Sequence, residues 1–434
     1  MKTIPLRTAP PAAPVNIPPS VAEHWRFARL LSAPHRLGFF TAAVLLGLSG
    51  VWWCGVLVAR YGGVSLPWAV PAPVAHALVM AMGFMPLFIV GFLFTAGPKW
   101  LALPDVPTSS LLRPVLAMTL GWCVALVGVH VAALLSALGM AVAAWGWARL
   151  MLRFARLLRA SPATDQLHAR AVAVASAVGV LAMVGGAVAV ALGHVPLARA
   201  AAQLALWGFL APTFTVVSHR MLPFFTAGVL PFLEAWRPNW LLAVMLGALG
   251  ATAVGTVADA LIGPLAPIAH AALLAVQAPA ALLVLWLVVR WGLLHSLRIR
   301  LLAMLHAGFV WLGVSLGLAA LSHARVLWLG DQASLGLAPL HALTMGFLGG
   351  TLIAMITRVA AGHSGRALAA DNLAWGLYLL LQTGAVLRVG AALWPAMDVM
   401  LTVAAALAWA AACAGWALRY GNWLGRPRVD GRPG

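Results

Sequence analysis

The sequence predicts an all-α integral membrane protein with twelve transmembrane helices, and three observations lead to that fold class. Of its 434 residues, 63% are hydrophobic and only 8% are charged, and the mean hydropathy is +0.98. Soluble globular proteins do not have this composition. Apolar runs of roughly 18 residues or more, which are long enough to cross a bilayer as a helix, recur along the chain. The basic residues are also divided unevenly between the two sides of such a bundle.

The twelve predicted spans follow the apolar runs in chain order. They lie near residues 36–59, 73–97, 112–129, 132–154, 168–192, 199–220, 239–258, 264–289, 301–321, 337–358, 373–393 and 396–418. Only the residues around His130 separate the third span from the fourth, so this boundary is the least defined. The spans form a membrane domain of residues 34–421, between a Pro/Ala-rich cytoplasmic tail (1–33) and a basic cytoplasmic tail (422–434).

The distribution of charge predicts the orientation of the spans. The formal net charge is +18, and with the N-terminus inside all but four of the 27 basic residues fall in inner segments. The four on the outer side are Arg60, Arg199, Arg325 and Arg388. This positive-inside bias predicts a multi-pass membrane protein with both termini in the cytoplasm. The basic charge is explained by topology in the lipid bilayer, and no nucleic-acid partner is predicted.

The positions of the cysteines and carboxylates limit the classes of function that the sequence allows. The three cysteines, Cys54, Cys123 and Cys413, lie far apart within spans, which is typical of small buried residues and predicts no disulfide. The nine acidic residues fall in tails, loops or span ends. A proton-coupled transporter or pump usually needs a carboxylate at depth, so this class is disfavoured.

A histidine near the start of an apolar helix occurs twice, as His76-Ala-Leu-Val-Met and His341-Ala-Leu-Thr-Met. Both lie near the outer ends of even-numbered spans and therefore at matching depth. Two neutral imidazoles from facing helices are what a low-spin haem iron requires. Glycines seven or eight residues further on, Gly83 and Gly349, would leave room for a flat macrocycle. The alternative is a pair of core histidines that are hydrogen-bonded to neighbouring carbonyls.

The same motif recurs in altered form in the sixth span. Gln203-Leu-Ala-Leu-Trp-Gly-Phe matches His341-Ala-Leu-Thr-Met-Gly-Phe, with Gln203 in the position of His341. An arginine, Arg220 or Arg358, follows the glycine of each motif by twelve residues. A period of four helices predicts three parallel four-helix units, at about 34–156, 166–290 and 301–420, around an axis along the membrane normal.

A second group of histidines is predicted at the cytoplasmic side. They begin the first span, end the sixth and begin the ninth: His35, His219 and His306. Imidazoles with a nearby thioether suit copper, or a second haem whose propionates would pair with Arg220 and Arg358. The alternative is that His35 and His306 cap helix starts and that Arg220 anchors the topology at the interface.

Several of these elements together resemble the NnrS family. They are His35-Arg-Leu-Gly-Phe-Phe, His76-Ala-Leu-Val-Met, Ser218-His-Arg-Met-Leu-Pro-Phe-Phe, His341-Ala-Leu-Thr-Met-Gly-Phe and Thr357-Arg-Val-Ala-Ala-Gly-His-Ser-Gly. The resemblance extends over roughly residues 30–420. It implies a twelve-helix bacterial inner-membrane protein with b-type haem and copper, which is tied to nitric oxide metabolism and nitrosative-stress tolerance and served by an unidentified electron donor.

More remotely, the chain is similar to the catalytic subunit of haem-copper oxidases, with twelve helices in three groups of four and low-spin haem ligands on helices 2 and 10. His76 and His341 fall on those helices. However, the seventh span contains no histidine, and the tenth contains one rather than His-x-His. A standard oxygen or nitric oxide reductase is therefore not expected, and redox activity on nitric oxide or related species is left open.

The competing hypothesis is a twelve-helix solute or metal transporter without haem. It predicts a six-plus-six repeat and a polar binding site near the midplane. The period of four and the lack of carboxylates within the spans both argue against it.

Overall fold

The computed structural model describes residues 24–432, and within this range the chain is built from helices without β-strands. Twelve helices are long and apolar enough to cross a membrane. In chain order, α1 to α12 are Pro34–Tyr61, Ala72–Trp100, Ser109–Val131, Ala133–Ala160, Leu167–Ala191, Val195–Val229, Asn239–Ile262, Pro267–Arg290, Arg300–Leu329, Asp331–His363, Asn372–Leu393 and Pro395–Leu424. The predicted fold class, an all-α membrane protein with twelve spans, is confirmed.

The helix boundaries agree with the prediction at the least defined place and depart from it elsewhere. Ala132 alone separates α3 from α4, in an extended conformation with φ −158° and ψ 127°. In contrast, α6 has 35 residues and α10 has 33, well beyond the predicted 199–220 and 337–358. The residues that extend these helices at the inner end, 221–229 and 359–363, are mostly apolar. Residues 331–337 at the start of α10 are a 3₁₀ turn and a short link before the regular helix, which begins at Ala338. Helix ends follow backbone hydrogen bonds and therefore differ from the edges of an apolar run.

The three helices that carry the repeated motif lie at the centre of the bundle together with α9. The most apolar window is 83% buried in α2 and α10 and 67% buried in α6 and α9, against 39% in the peripheral α3. Gly38 and Gly91 allow α1 to approach α2 closely, because a Cβ at Gly38 would lie 2.6 Å from the Gly91 backbone. Small residues serve this purpose between membrane helices, where dispersion contacts replace the hydrophobic effect.

The three helices that carry the motif are each irregular within eight residues after the matched position of the repeat. In α2, α-helical geometry stops at Met82 and resumes at Met85, where Pro86 has no N–H to bond the preceding turn. In α6 and α10, π-helical turns occupy Leu204–Leu210 and Ala342–Gly349. These irregularities agree with the predicted correspondence of the three helices, and the arrangement of three units around an axis stays a prediction.

The two ends of the described chain meet on one side of the bundle. The Arg36 guanidinium donates to the carbonyls of Leu424 (2.9 Å) and Arg426 (2.8 Å), and the backbone N–H of Arg26 donates to Gly425. An even number of spans also brings both ends to the same side. The assignment of that side to the cytoplasm stays a prediction, and most of the predicted N-terminal tail, residues 1–23, lies outside the described residues.

Candidate functional site

His76 and His341 line the same cavity. Its volume is about 600 Å³, and its walls come from α1, α2, α6, α10, α11 and α12. The lining residues lie toward the end of the bundle where α1 and α11 finish and α2, α6, α10 and α12 begin. This end, called the outer end below, is the one predicted to face away from the cytoplasm. The two histidines that the sequence placed at matching depth thus open on one common space.

His341 is oriented by its own helix, with one ring nitrogen left without a partner. Its Nδ1 lies 3.0 Å from the carbonyl oxygen of Leu337. A carbonyl oxygen only accepts, so Nδ1 carries the proton and donates it. In a neutral ring the lone pair then lies on Nε2, and this atom makes no hydrogen bond within residues 24–432. Metal-ligating histidines characteristically show this arrangement, in which the second nitrogen donates to a carbonyl.

His76 is held differently, by an aromatic neighbour. Its ring stacks on the indole of Trp53, with centroids 4.0 Å apart and planes 22° from parallel. Its Nδ1 is buried without a hydrogen-bond partner in the described part of the chain, although the half-buried ring lines the cavity. Burying an unpaired polar nitrogen costs free energy. The protein therefore fixes the plane of this ring without satisfying its polar atoms.

A third polar side chain opens on the cavity at the position that the repeat matched to His341. Gln203 lines the wall, and its Oε1 is buried without a partner among residues 24–432. The thioethers of Met80 and Met345, one turn beyond the histidines, line the same space. Two lining residues, His76 and Gln203, thus each have a buried polar atom that the described residues do not satisfy, as is typical of a site that receives a ligand.

The predicted role of two glycines is not seen in this geometry. Gly83 and Gly349 are absent from the cavity wall. A Cβ at Gly83 would lie 2.5 Å from the carbonyl oxygen of Val79, and one at Gly349 would lie 2.7 Å from the ring of Trp409. The Trp409 ring occupies the space beside Gly349, and Gly83 lies against the preceding turn of its own helix, so neither glycine opens space in the cavity.

The mouth of the cavity is basic, which the sequence interpretation missed. Arg60, Arg199 and Arg388 line it, and these are three of the four arginines that the topology placed outside. Arg388 is half-buried, whereas the other two are exposed. A signal was present in the sequence: outer arginines run against the positive-inside bias and call for a separate reason.

The predicted inner-side ligand His219 is engaged by two partners. Its Nε2 lies 3.3 Å from the carbonyl oxygen of Pro238, and its Nδ1 lies 3.0 Å from Nε2 of His168. The carbonyl fixes the proton of His219 on Nε2, so Nδ1 accepts a hydrogen bond from His168. With both hydrogen bonds formed, neither ring nitrogen of His219 is free to bind a metal ion. His168 was not among the predicted ligands.

His306 and His35 lie in other surroundings. The Thr226 hydroxyl donates to Leu222 (2.9 Å), so it accepts from Nε2 of His306 at 3.1 Å. The ring of His35 lies beside that of His363, with centroids 4.2 Å apart. Nδ1 of both predicted ligands is buried without a partner in the described part of the chain. Residues 24–432 contain no group of three or more His, Cys, Asp or Glu side chains suited to one metal ion, so this site stays a prediction.

Arg220 and Arg358, the arginines predicted to offset negative charge, lie outside the cavity. The Arg220 guanidinium lies 4.8 Å from the centre of the Trp100 ring, and that of Arg358 lies 4.1 Å from the centre of the Phe225 ring. Stacking on aromatic faces is a common arrangement for arginine near a membrane interface. Their predicted pairing with an anion is untested by this geometry.

Comparison with known proteins adds one match. The family model described as NnrS protein matches residues 29–428. The chain belongs to the NnrS family. Among curated proteins, no match was found. With its twelve apolar helices, this member of the NnrS family is a multi-pass membrane protein, and membership supports a role related to nitric oxide.

Proposed function

We propose that this NnrS-family protein binds a b-type haem between His76 and His341 in the outer cavity. In this proposal it acts in nitric oxide metabolism or in tolerance of nitrosative stress, in a bacterial inner membrane and with both termini in the cytoplasm. The observation that carries the proposal is that both imidazoles open on one cavity of about 600 Å³, and neither has its Nε2 hydrogen-bonded within residues 24–432.

The residues of the cavity fit such a cofactor in three ways. Its volume lies within the range of about 300–1,000 Å³ that is typical of ligand pockets. Most of the wall is apolar, with side chains such as Leu57, Leu206 and Leu340 around the histidines, as the apolar ring of a haem requires. The donors are imidazoles, which are common haem ligands.

The protein's own contribution is to orient the ligands and exclude water. Bound haem would supply a one-electron redox centre, and an iron held by both imidazoles could bind nitric oxide only if one of the two rings were displaced. The Leu337 carbonyl holds the His341 ring in the tautomer that leaves Nε2 free, and Trp53 holds the plane of His76. Ring orientation of this kind affects metal affinity strongly.

Copper is proposed only as a second cofactor, on the strength of the sequence resemblance. The predicted ligands His35, His219 and His306 do not form one three-ligand group in this structure, and both nitrogens of His219 are hydrogen-bonded. These residues therefore do not fit a single copper ion as they are placed.

The haem proposal is tested by replacing each proposed ligand in the full-length protein. We expect the haem-to-protein ratio to fall to a small fraction of the wild-type value in both His76→Ala and His341→Ala. We also expect both variants to lose the sharp Soret band of a reduced low-spin haem. Added imidazole is expected to restore the low-spin spectrum, because it enters the space left by the missing ring. That rescue separates loss of a ligand from loss of folding.

The matched control is His130→Ala. His130 also lies at the outer end, but it accepts a hydrogen bond from the Trp52 indole at 2.8 Å and is not part of the cavity wall. We expect this variant to keep its haem. If both cavity variants retain the full wild-type haem content and spectrum, the proposal is wrong.

Metal analysis tests the copper proposal independently of haem. Copper per protein is measured by mass spectrometry in the wild type and in His35→Ala, His219→Ala and His306→Ala. A shared site predicts that each variant loses copper while the haem content is unchanged. Copper that persists in all three variants would exclude these residues as its ligands.

The same preparations distinguish the transporter alternative. A colourless protein that moves a solute or metal ion across reconstituted vesicles would support transport without haem. A coloured protein whose Soret band narrows and shifts on reduction would support the haem proposal. The cavity itself does not favour transport, because its lining contains a single carboxylate, that of Asp398.

A further inference from the structure

We infer that Arg388, with Arg60 and Arg199, forms a carboxylate-binding mouth that holds the two propionates of the proposed haem, so that the carboxylate edge faces the outer surface. This inference rests on the proposed function, and it gives the cofactor an orientation. The three guanidinium groups come from three different helices, α11, α1 and α6, and they line one cavity.

Arg388 is the member of this mouth that most requires a partner. It is half-buried, and it makes no hydrogen bond or ion pair with another described residue. The two ion pairs found within residues 24–432 are Arg419–Asp371 and Arg428–Asp430. A partly buried guanidinium without a counter-charge is unfavourable, and a carboxylate offers it two parallel hydrogen bonds.

The acid that shares the cavity offsets only part of this charge. Asp398 lines the same wall and attracts Arg388 electrostatically. The two side chains form no direct ion pair, and the Asp398 Oδ1 accepts a hydrogen bond from the Thr402 hydroxyl at 3.0 Å. Three arginines against one aspartate leave the lining with two excess positive charges. This excess matches a ligand with two carboxylates and an otherwise apolar body.

The exposure of the groups sets the direction of the ligand. Arg60, the next-to-last residue of α1, and Arg199 are both exposed. His76 is half-buried and His341 is buried, and apolar side chains surround them. The charged edge of an amphipathic macrocycle would therefore lie at the mouth, with its apolar edge deep in the bundle.

The test compares two forms of the cofactor on the same haem-free protein. Wild type and Arg388→Gln are titrated with haem b and with its dimethyl ester, in which both propionate charges are removed. We expect Arg388→Gln to bind haem b about tenfold more weakly, since a charge-assisted hydrogen bond is lost. Its affinity for the dimethyl ester should equal that of the wild type, and Arg388→Lys should recover part of the affinity for haem b.

The matched control is Arg325→Gln, the fourth outer arginine. Its Nε donates to the carbonyl of Ala333 at 2.8 Å, and it does not line the cavity. We expect this variant to bind both forms of the cofactor like the wild type. A general effect of outer positive charge would instead weaken haem b binding equally in the two variants, and that result would overturn the inference.

The remaining outcomes are also decisive. Equal weakening of haem b and its ester in Arg388→Gln would show that Arg388 acts through packing and would overturn the inference. Unchanged haem affinity together with weakened binding of inorganic phosphate would assign the mouth to a free anion, which also overturns it. If the wild type bound no low-spin haem at all, the proposed function itself would be wrong. The spectrum of the wild type distinguishes this result from a failure of the inference about Arg388.

Discussion

The outer cavity and the inner histidines use the same residue type in opposite ways. At the outer end, His76 and His341 face a space of about 600 Å³. At the inner end, both nitrogens of His219 are already bonded. A second cavity among α2, α5, α6 and α10 has a volume of only about 60 Å³ and contains no histidine. Burial is common to both groups of histidines, so open space beside a free ring nitrogen is what distinguishes a candidate ligand from a structural histidine.

The largest expected effect comes from filling the outer cavity without touching its histidines. Ala77 lines the cavity next to His76, and Ala77→Trp would occupy the space proposed for the macrocycle. We expect the haem-to-protein ratio to fall to about a tenth or less, because overpacked sites relax only partly. The control is Ala141→Trp on the exposed face of α4. Full haem content in Ala77→Trp, in protein that elutes as the wild type does, would place the cofactor elsewhere.

A smaller effect of a different kind is expected at the inner end. His168→Ala removes the hydrogen-bond donor to Nδ1 of His219, a side chain with 0% exposure. We expect a loss of stability of about 1–3 kcal/mol, since a buried acceptor is left unpaired. Thermal unfolding should report this loss while the haem content stays at the wild-type level. If His168→Ala instead lost haem as completely as His341→Ala, the proposed difference between ligand histidines at the outer end and structural histidines at the inner end would be wrong.

The smallest expected effect concerns the ring that stacks on His76. Trp53→Ala removes this contact, and an aromatic pair contributes about 0.5–1.5 kcal/mol beyond its area. We therefore expect haem affinity to fall by roughly threefold to tenfold, while Trp53→Phe keeps most of it. Haem titration of the two variants measures the difference. Equal affinities in Trp53→Ala and the wild type would show that the stack does not orient the ligand.

Much of the candidate site was predictable from residue pattern. The motif shared by His76 and His341 indicated their common depth, because both begin even-numbered apolar helices. The match of Gln203 to His341 was also visible, and the structure places that amide on the same cavity. Hydropathy did not place the ends of α6 and α10, because backbone hydrogen bonds continue the helices beyond the length needed to cross lipid.

The inner cluster shows where such reasoning fails. His35, His219 and His306 share one side of the membrane, and shared depth was the basis for grouping them. Depth along the membrane normal does not specify where a helix lies in the plane of the membrane. Histidines at equal depth can therefore be far apart. The neighbours His363 and His168 lie far away in sequence and had no motif in common with the residues that they contact.

By itself, the sequence determined the class, the number of spans, the even-helix histidines and the family, because lipid imposes length and polarity on every residue that crosses it. Only the tertiary structure decided that the two histidines open on one cavity, that three outer arginines surround its mouth and that the inner histidines are divided among separate partners. These are properties of how helices pack sideways, and packing depends on small residues and ring contacts between segments far apart in the chain.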